Sequence, residues 1–199
     1  MSGIYPTTKK PTLLNFISNR PTTVNYTLSG KRSVKLSASQ YFSFTVTMPP
    51  MKRSDFMEYY SFLVKQKGSF ETFTFTSPLS NQGAVDSNDT VLVNGVHAVG
   101  DTTIAMDAFA GDGAGRVKAG DFIKFGGHTK VYMVVSDVTS SSNAATVTIE
   151  PPLTTALSDN DTVVYDSVPF TVALSNDIQE FGIPSDAFFR YEMKFIEVI

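Results

Sequence analysis

The stretch "YFSFTVTMPPMKRSDFMEYYSFLVKQKGSFETFTFT", residues 41–76, constrains the chain more than any other because its hydrophobic period switches twice. Phe42, Phe44 and Val46 alternate with Ser43, Thr45 and Thr47, the period of two that turns one face of a strand to a core. Pro49 and Pro50 end that strand, since neither can donate to a ladder. From Ser54 the spacing lengthens: Phe56, Tyr59, Tyr60 and Leu63 recur every three to four residues, the stripe of an amphipathic helix over about 54–67. Ser54 is the expected N-cap, and Asp55 and Glu58 suit the positive end of the helix dipole. Lys65 and Lys67 suit its negative end, and Gly68 is the expected residue past the stop. Phe73 and Phe75 then resume the alternation. The expected unit is strand, helix, strand, with the helix as a lid whose core is Phe56, Tyr59, Tyr60 and Leu63.

The partners of this unit lie far away in the chain. "PFTVAL" puts Phe170, Val172 and Leu174 on one face, and "FFRYEMKFIEVI" alternates Phe189, Tyr191, Met193 and Phe195 against Arg190, Glu192 and Lys194. Earlier, "VNYTLSG" sets Val24, Tyr26 and Leu28 on one face before a turn at Gly30. Between residues 80 and 167 the texture differs: Phe thins out, and short strands recur in "DTVLVNG", "TTIAMDAF", "DFIKFGGHTKVYMVV", "ATVTIEPPL" and "DTVVY". Asn94–Gly95 and Gly126–Gly127 mark turns between them. The expected class is mainly β with one amphipathic helix. A discontinuous β-sandwich domain, 1–80 plus 168–199, is interrupted by a small β-barrel domain of five or six strands at 81–167.

Composition narrows the function. The formal net charge is −3 and basic residues are not clustered, the pairs Lys9–Lys10, Lys31–Arg32 and Lys52–Arg53 being isolated, so specific nucleic-acid binding is disfavoured. With no cysteine, thiolate chemistry and cysteine metal sites are excluded. "MSGIYPTTKKPTLLNF" does not read as a secretory signal, and no window approaches the length of a membrane span. Neither His97 nor His128 has a helical His-x-x-x-His or Glu partner. "DAFAGDGAG" lacks the Gly-Lys-Ser/Thr of a phosphate loop and the spaced acids of a calcium loop, so it reads as an inter-strand loop. "DSND" at 86–89 and "SDND" at 158–161 read as Asx turns. No residue presents itself as catalytic, and no enzyme activity, metal or cofactor is expected. Carbohydrate binding through Tyr132, His128 and the 107–116 loop is the competing reading, weakened by the absence of Trp.

The succession of "FSFTVTMPPMKRSDFMEYYSFLVKQKGSFETFTFTSP", "KAGDFIKFGGHTKVYMVV" and "FRYEMKFIEVI" resembles the distal tail proteins of long-tailed bacteriophages. The resemblance implies a ring-forming (belt) domain carrying a second β domain, galectin-like or of the oligonucleotide/oligosaccharide-binding (OB) type. It implies a virion structural protein made in the host cytoplasm. Six copies would form a ring between the tail tube protein and the baseplate hub protein, with tape-measure or receptor-binding proteins as further neighbours. A tube or tail-completion protein is the alternative within the same class. Lys65, Lys67, Arg190, Glu192 and Lys194 are the expected interface residues, as exposed charge on the helix end and the last strand.

Overall fold

The computed structural model describes residues 3–85, 89–183 and 185–199. In chain order the elements are β1 (Leu13–Asn19), β2 (Thr22–Tyr26), β3 (Arg32–Leu36), β4 (Tyr41–Thr47), α1 (Arg53–Lys65) and β5 (Thr72–Thr76). There follow β6 (Leu92–Val93), β7 (Thr103–Asp107), β8 (Gly113–Val117), β9 (Phe122–Phe125), β10 (Tyr132–Val134) and β11 (Val138–Ser140). The last are β12 (Ala145–Glu150), β13 (Val163–Val164), β14 (Pro169–Leu174) and β15 (Glu192–Glu197). The protein is mainly β with one helix among the described residues. It divides into two compact units, Met1–Phe75 with Thr171–Ile199, and Thr76–Phe170.

The first unit is built on a five-stranded sheet in the order β1-β4-β15-β14-β5. β15 pairs antiparallel with β4, setting Phe195 opposite Phe44 and Met193 opposite Val46. Phe42, Phe44, Val46, Phe73, Phe75, Met193 and Phe195 are all buried, which is why these strands alternate in sequence. Beyond β5 the edge is closed by the start of the chain: Tyr5 N–H donates to Thr74 O at 2.8 Å and Thr74 N–H donates to Gly3 O at 3.0 Å. β5 and β14 are neighbours, so the intervening segment leaves and re-enters the sheet at adjacent strands.

α1 buries Phe56, Tyr59 and Leu63. Its rings interlock with those below: Phe62 meets Phe73 edge-on at 5.3 Å, and Phe56 stacks on Phe189 at 4.8 Å. Residues 8–9 strap the helix from outside. Lys9 N–H donates to the Tyr59 hydroxyl at 2.6 Å, Thr8 to Glu58 at 2.9 Å, and Lys9 Nζ pairs with Asp55 at 3.2 Å.

Both ends of the helix differ from expectation. The N-cap is Lys52, not Ser54, at φ −67° and ψ 159°, with no side-chain cap bond. The cause is tertiary: Met51 is locked to Phe189 by two backbone hydrogen bonds of 2.9 and 2.8 Å, which fixes where the chain turns into the helix. Ser54 falls inside the first turn, its Oγ 3.3 Å from Asp55 Oδ1. At the other end α1 stops at Lys65. Lys67 is already in the left-handed region at φ 56°, followed by Gly68 at φ 68°. Gly68 is required twice over, since a Cβ there would stand 2.8 Å from Asp177 Oδ1.

In the second unit six strands run in the order β13-β9-β10-β12-β7-β6. Its edge strands meet: Val93 N–H donates to Asp161 O at 2.9 Å and Val163 N–H to Val91 O at 3.1 Å, so the sheet curls into a nearly closed barrel. Val93, Ile104, Ile123, Tyr132, Val134, Val147 and Ile149 fill it. Residues 113–116, expected to be loop, belong to β8, which pairs with β11 through Val117 opposite Val138. Gly and Ala carry no readable alternation, so the period was hidden there. Among the described residues the unit thus has eight strands, β6 to β13, rather than five or six.

Two stability predictions follow from the lid. Leu63→Ala opens a cavity under α1 and should cost about 2–5 kcal/mol in denaturant unfolding. Lys52→Ser supplies the missing cap and should add about 0.5–2 kcal/mol, read from the same unfolding curves.

Candidate assembly surfaces

The strands β2 and β3 make a two-stranded ladder of their own, with Val24 opposite Val34 and Tyr26 opposite Arg32. They continue β1 and β4 outward past the sheet, because β1 runs into β2 and β3 into β4 within a few residues. Every residue from 22 to 39 is exposed. This corrects the expectation for "VNYTLSG". Val24 and Tyr26 share a face, whereas Leu28 lies in the turn beyond β2; Tyr26 is 69% and Leu28 fully exposed. One face of the arm carries Val24, Val34, Leu36 and Tyr26; the other carries Thr23, Asn25, Ser33 and Lys35. An isolated hairpin is marginal in water, and an apolar face held open to solvent marks a contact surface.

The residues expected at an interface lie on exposed parts of the first unit, each engaged differently. Glu192 and Lys194 pair with each other at 3.6 Å on the face of β15 opposite Met193 and Phe195. Arg190 lies before β15 and pairs with Asp186 at 3.1 Å. Lys67 pairs with Glu71 at 3.7 Å, and Lys65 is exposed in the last helical turn. Asp186 and Asp177, both exposed, have their pKa values lowered by hydrogen bonds from Phe188 N–H and from Ser69 respectively.

Sequence reasoning missed a groove of about 310 Å³ lined by Ile178, Gln179, Glu180, Tyr191, Glu192 and Lys194. Tyr60 belongs here rather than over the sheet. It is half-buried, it meets Phe181 edge-on at 4.7 Å, and its hydroxyl donates to Gln179 O at 3.1 Å. Tyr191 donates to Gln179 Oε1 at 2.8 Å. Ser69 holds Asp177 by N–H at 2.9 Å and by Oγ at 2.5 Å. The groove wall is therefore pinned at several points while Ile178 stays 71% exposed.

The residues proposed for sugar binding are structural. Tyr132 is 0% exposed, its hydroxyl 3.1 Å from Thr154 Oγ1 and accepting Thr154 N–H at 3.2 Å. His128, just after the Gly126–Gly127 turn, is 9% exposed and 3.4 Å from that same hydroxyl. His97 Nε2 accepts Ala105 N–H at 3.2 Å. Asp112 in the 107–116 segment accepts Ser142 and Asn143 N–H at 2.8 Å each, so its oxygens cap a turn. In "SDND", Asp161 accepts Ser158 N–H at 2.7 Å and Asp159 accepts Gly95 N–H at 2.7 Å. Of "DSND", residues 86–88 lie outside the described residues; Asp89 is buried against Arg116 at 2.7 Å. Among the described residues no three of His, Asp and Glu gather as a metal-ligand set, and no helix is long and apolar enough to cross a membrane.

Residues 83–168 match the family model described as distal tail protein pb9, B domain. The match supports the phage distal tail protein family for this chain. The matched segment is nearly the whole of the second unit, Thr76–Phe170. No curated protein matches the chain. Members of such a family are virion components that assemble with other tail proteins and are not normally enzymes.

Burial, with Tyr60 and Glu180 close by, pushes the Tyr191 pKa up from 10.0 to about 12. The folded state therefore keeps a proton that the unfolded chain has lost. The stabilisation is whole below pH 10.0 and disappears as pH rises to about 12. Tyr191→Phe should make the alkaline fall in stability shallower across that window, measured as urea midpoints against pH.

Proposed function

We propose that the chain is a distal tail protein that forms a ring of six copies joining the tail tube to the baseplate hub.

 The ring reading rests on one observation: the arm of residues 22–39 is amphipathic, and every residue in it is exposed. A chain that builds such an arm and packs nothing on its apolar face gains stability when another subunit covers it, by about 25 cal/mol for each Å² of apolar surface removed from water. β1 adds a second surface of this kind, since it ends the five-stranded sheet with Leu13 and Ile17 exposed. A surface on one element that docks on a different surface of the next copy is heterologous, and such contacts close into rings when the rotation closes.

The match of residues 83–168 supports the tail location. The neighbours of the ring are then the tail tube protein above and the baseplate hub protein below, with tape-measure or receptor-binding proteins at its margins. The discontinuous first unit is the ring builder on this reading, and the second unit is the part that faces other tail proteins. The polar pair Glu192–Lys194, with Arg190, Lys65 and Lys67, supplies exposed charge for such contacts.

Val24→Asp combined with Val34→Asp removes the apolar face of the arm without touching a buried residue. The expected outcome is an unchanged melting temperature together with loss of rings in negative-stain images and loss of incorporation into tails. Normal rings from this variant would count against the arm as the ring-forming surface.

A further inference from the structure

Asn is followed by Gly at one place in the sequence, Asn94–Gly95, just after β6. Asn94 is exposed, and its side-chain amide has no hydrogen bond among the described residues. Gly95 lies in the left-handed region at φ 84°, with nothing within 4 Å of where a Cβ would stand. Its N–H donates to Asp159 Oδ1 at 2.7 Å, while Asp159 Oδ2 accepts from Asn160 Nδ2 at 2.9 Å. Backbone bonds across the barrel seam hold the two segments in register. Val93 N–H donates to Asp161 O and Asn160 N–H donates to Val93 O, both at 2.9 Å. On the other side Asn94 N–H donates to Ala105 O at 2.9 Å.

The side-chain amide of an Asn is an electrophile for the main-chain nitrogen that follows it. Two things slow the attack: that nitrogen must shed its proton as the bond forms, and a side chain on the following residue crowds the approach. Neither obstacle is at full strength here. Gly95 has no side chain, and a carboxylate already accepts its hydrogen, which is where a general base must stand. The N–H lies in the peptide plane and the attacking orbital stands perpendicular to it, so the bond to Asp159 leaves the approach to Asn94 Cγ open.

We infer that Asn94–Gly95 is a self-modifying site at which Asp159 promotes the cyclisation of Asn94. Gly95 N bonds to Asn94 Cγ and the Cγ–Nδ2 bond breaks. The proton from Gly95 N passes through Asp159 to the departing nitrogen, which leaves as ammonia. Water then opens the succinimide at either carbonyl, giving aspartate or isoaspartate at position 94 with no change of oxidation state. Either product sets a new negative charge beside Asp159. Isoaspartate also lengthens the main chain next to the seam bonds of Val93, so the aged barrel should open more readily there. The site lies in the second unit and stands independently of the ring reading.

The test is peptide mapping by mass spectrometry of the full chain held at mildly alkaline pH, both folded and in urea. In the folded chain Asn94 should convert ahead of Asn143 and Asn160, which are also exposed but are followed by Ala144 and Asp161. Asp159→Ser keeps an oxygen for the Gly95 N–H and removes the base; it should slow conversion of the folded chain by about tenfold or more. Asp159→Glu keeps a carboxylate and should retain most of the rate. In urea all three chains should react alike, because residue 159 is then no longer held beside Gly95. An Asn94 that reacts in urea and stays intact in the folded chain would overturn the site. Conversion of folded Asp159→Ser as fast as the parent, or faster, would show Asp159 to be a restraint and overturn its role as base. A Glu variant as slow as the Ser variant would overturn that role too.

Discussion

The last strand of the chain lies in the middle of its five-stranded sheet. β15 sits between β4 and β14, so the sheet has no continuous hydrogen-bonded body until residues 192–197 are in place. The helix depends on the same event. Phe189, just before β15, stacks on Phe56 and locks Met51, and Phe195 packs against Phe73 and Phe75 beneath the lid. Pairings this distant in sequence cost loop-closure entropy before they return any contact. A dense set of aromatic contacts at the junction of α1, β4, β5 and β15 offsets that cost.

Carboxylates in this protein serve the backbone more than chemistry. Asp121 is buried and accepts N–H groups from Gln82, Gly83 and Lys118 at 2.6, 2.9 and 2.9 Å. Asp112, Asp159 and Asp161 do the same work in other turns. Gly83 is where this clasp demands the smallest residue, since a Cβ would come within 2.3 Å of Arg116 O. These acids resemble metal ligands in sequence because the same property, a pair of oxygens able to accept several bonds, suits both uses. The barrel needs many short turns, and short turns leave N–H groups that a nearby Asp can satisfy.

The strand at 41–47, the helix after it and the strand near the C-terminus were legible because one-sided burial writes itself into the spacing of Phe, Tyr, Val and Leu. β8 was not, since "GAGRV" has almost no side chains with which to show a period. The N-cap was misplaced because Ser54 has the right chemistry, whereas Lys52 stands where the Met51–Phe189 pairing puts the helix entrance. The groove was invisible for a related reason: Tyr60, Gln179 and Tyr191 are brought together from three separate segments.

What the sequence determined by itself is which faces are apolar and where the chain turns, since these follow from side-chain type and local backbone preference. Only the tertiary structure decided what covers each face. Phe42 and Val24 sit on equally plain alternating strands, yet Phe42 is buried and Val24 is open to solvent. Period reports the existence of an apolar face and is silent on its partner, because the partner is supplied by distant segments or by another molecule.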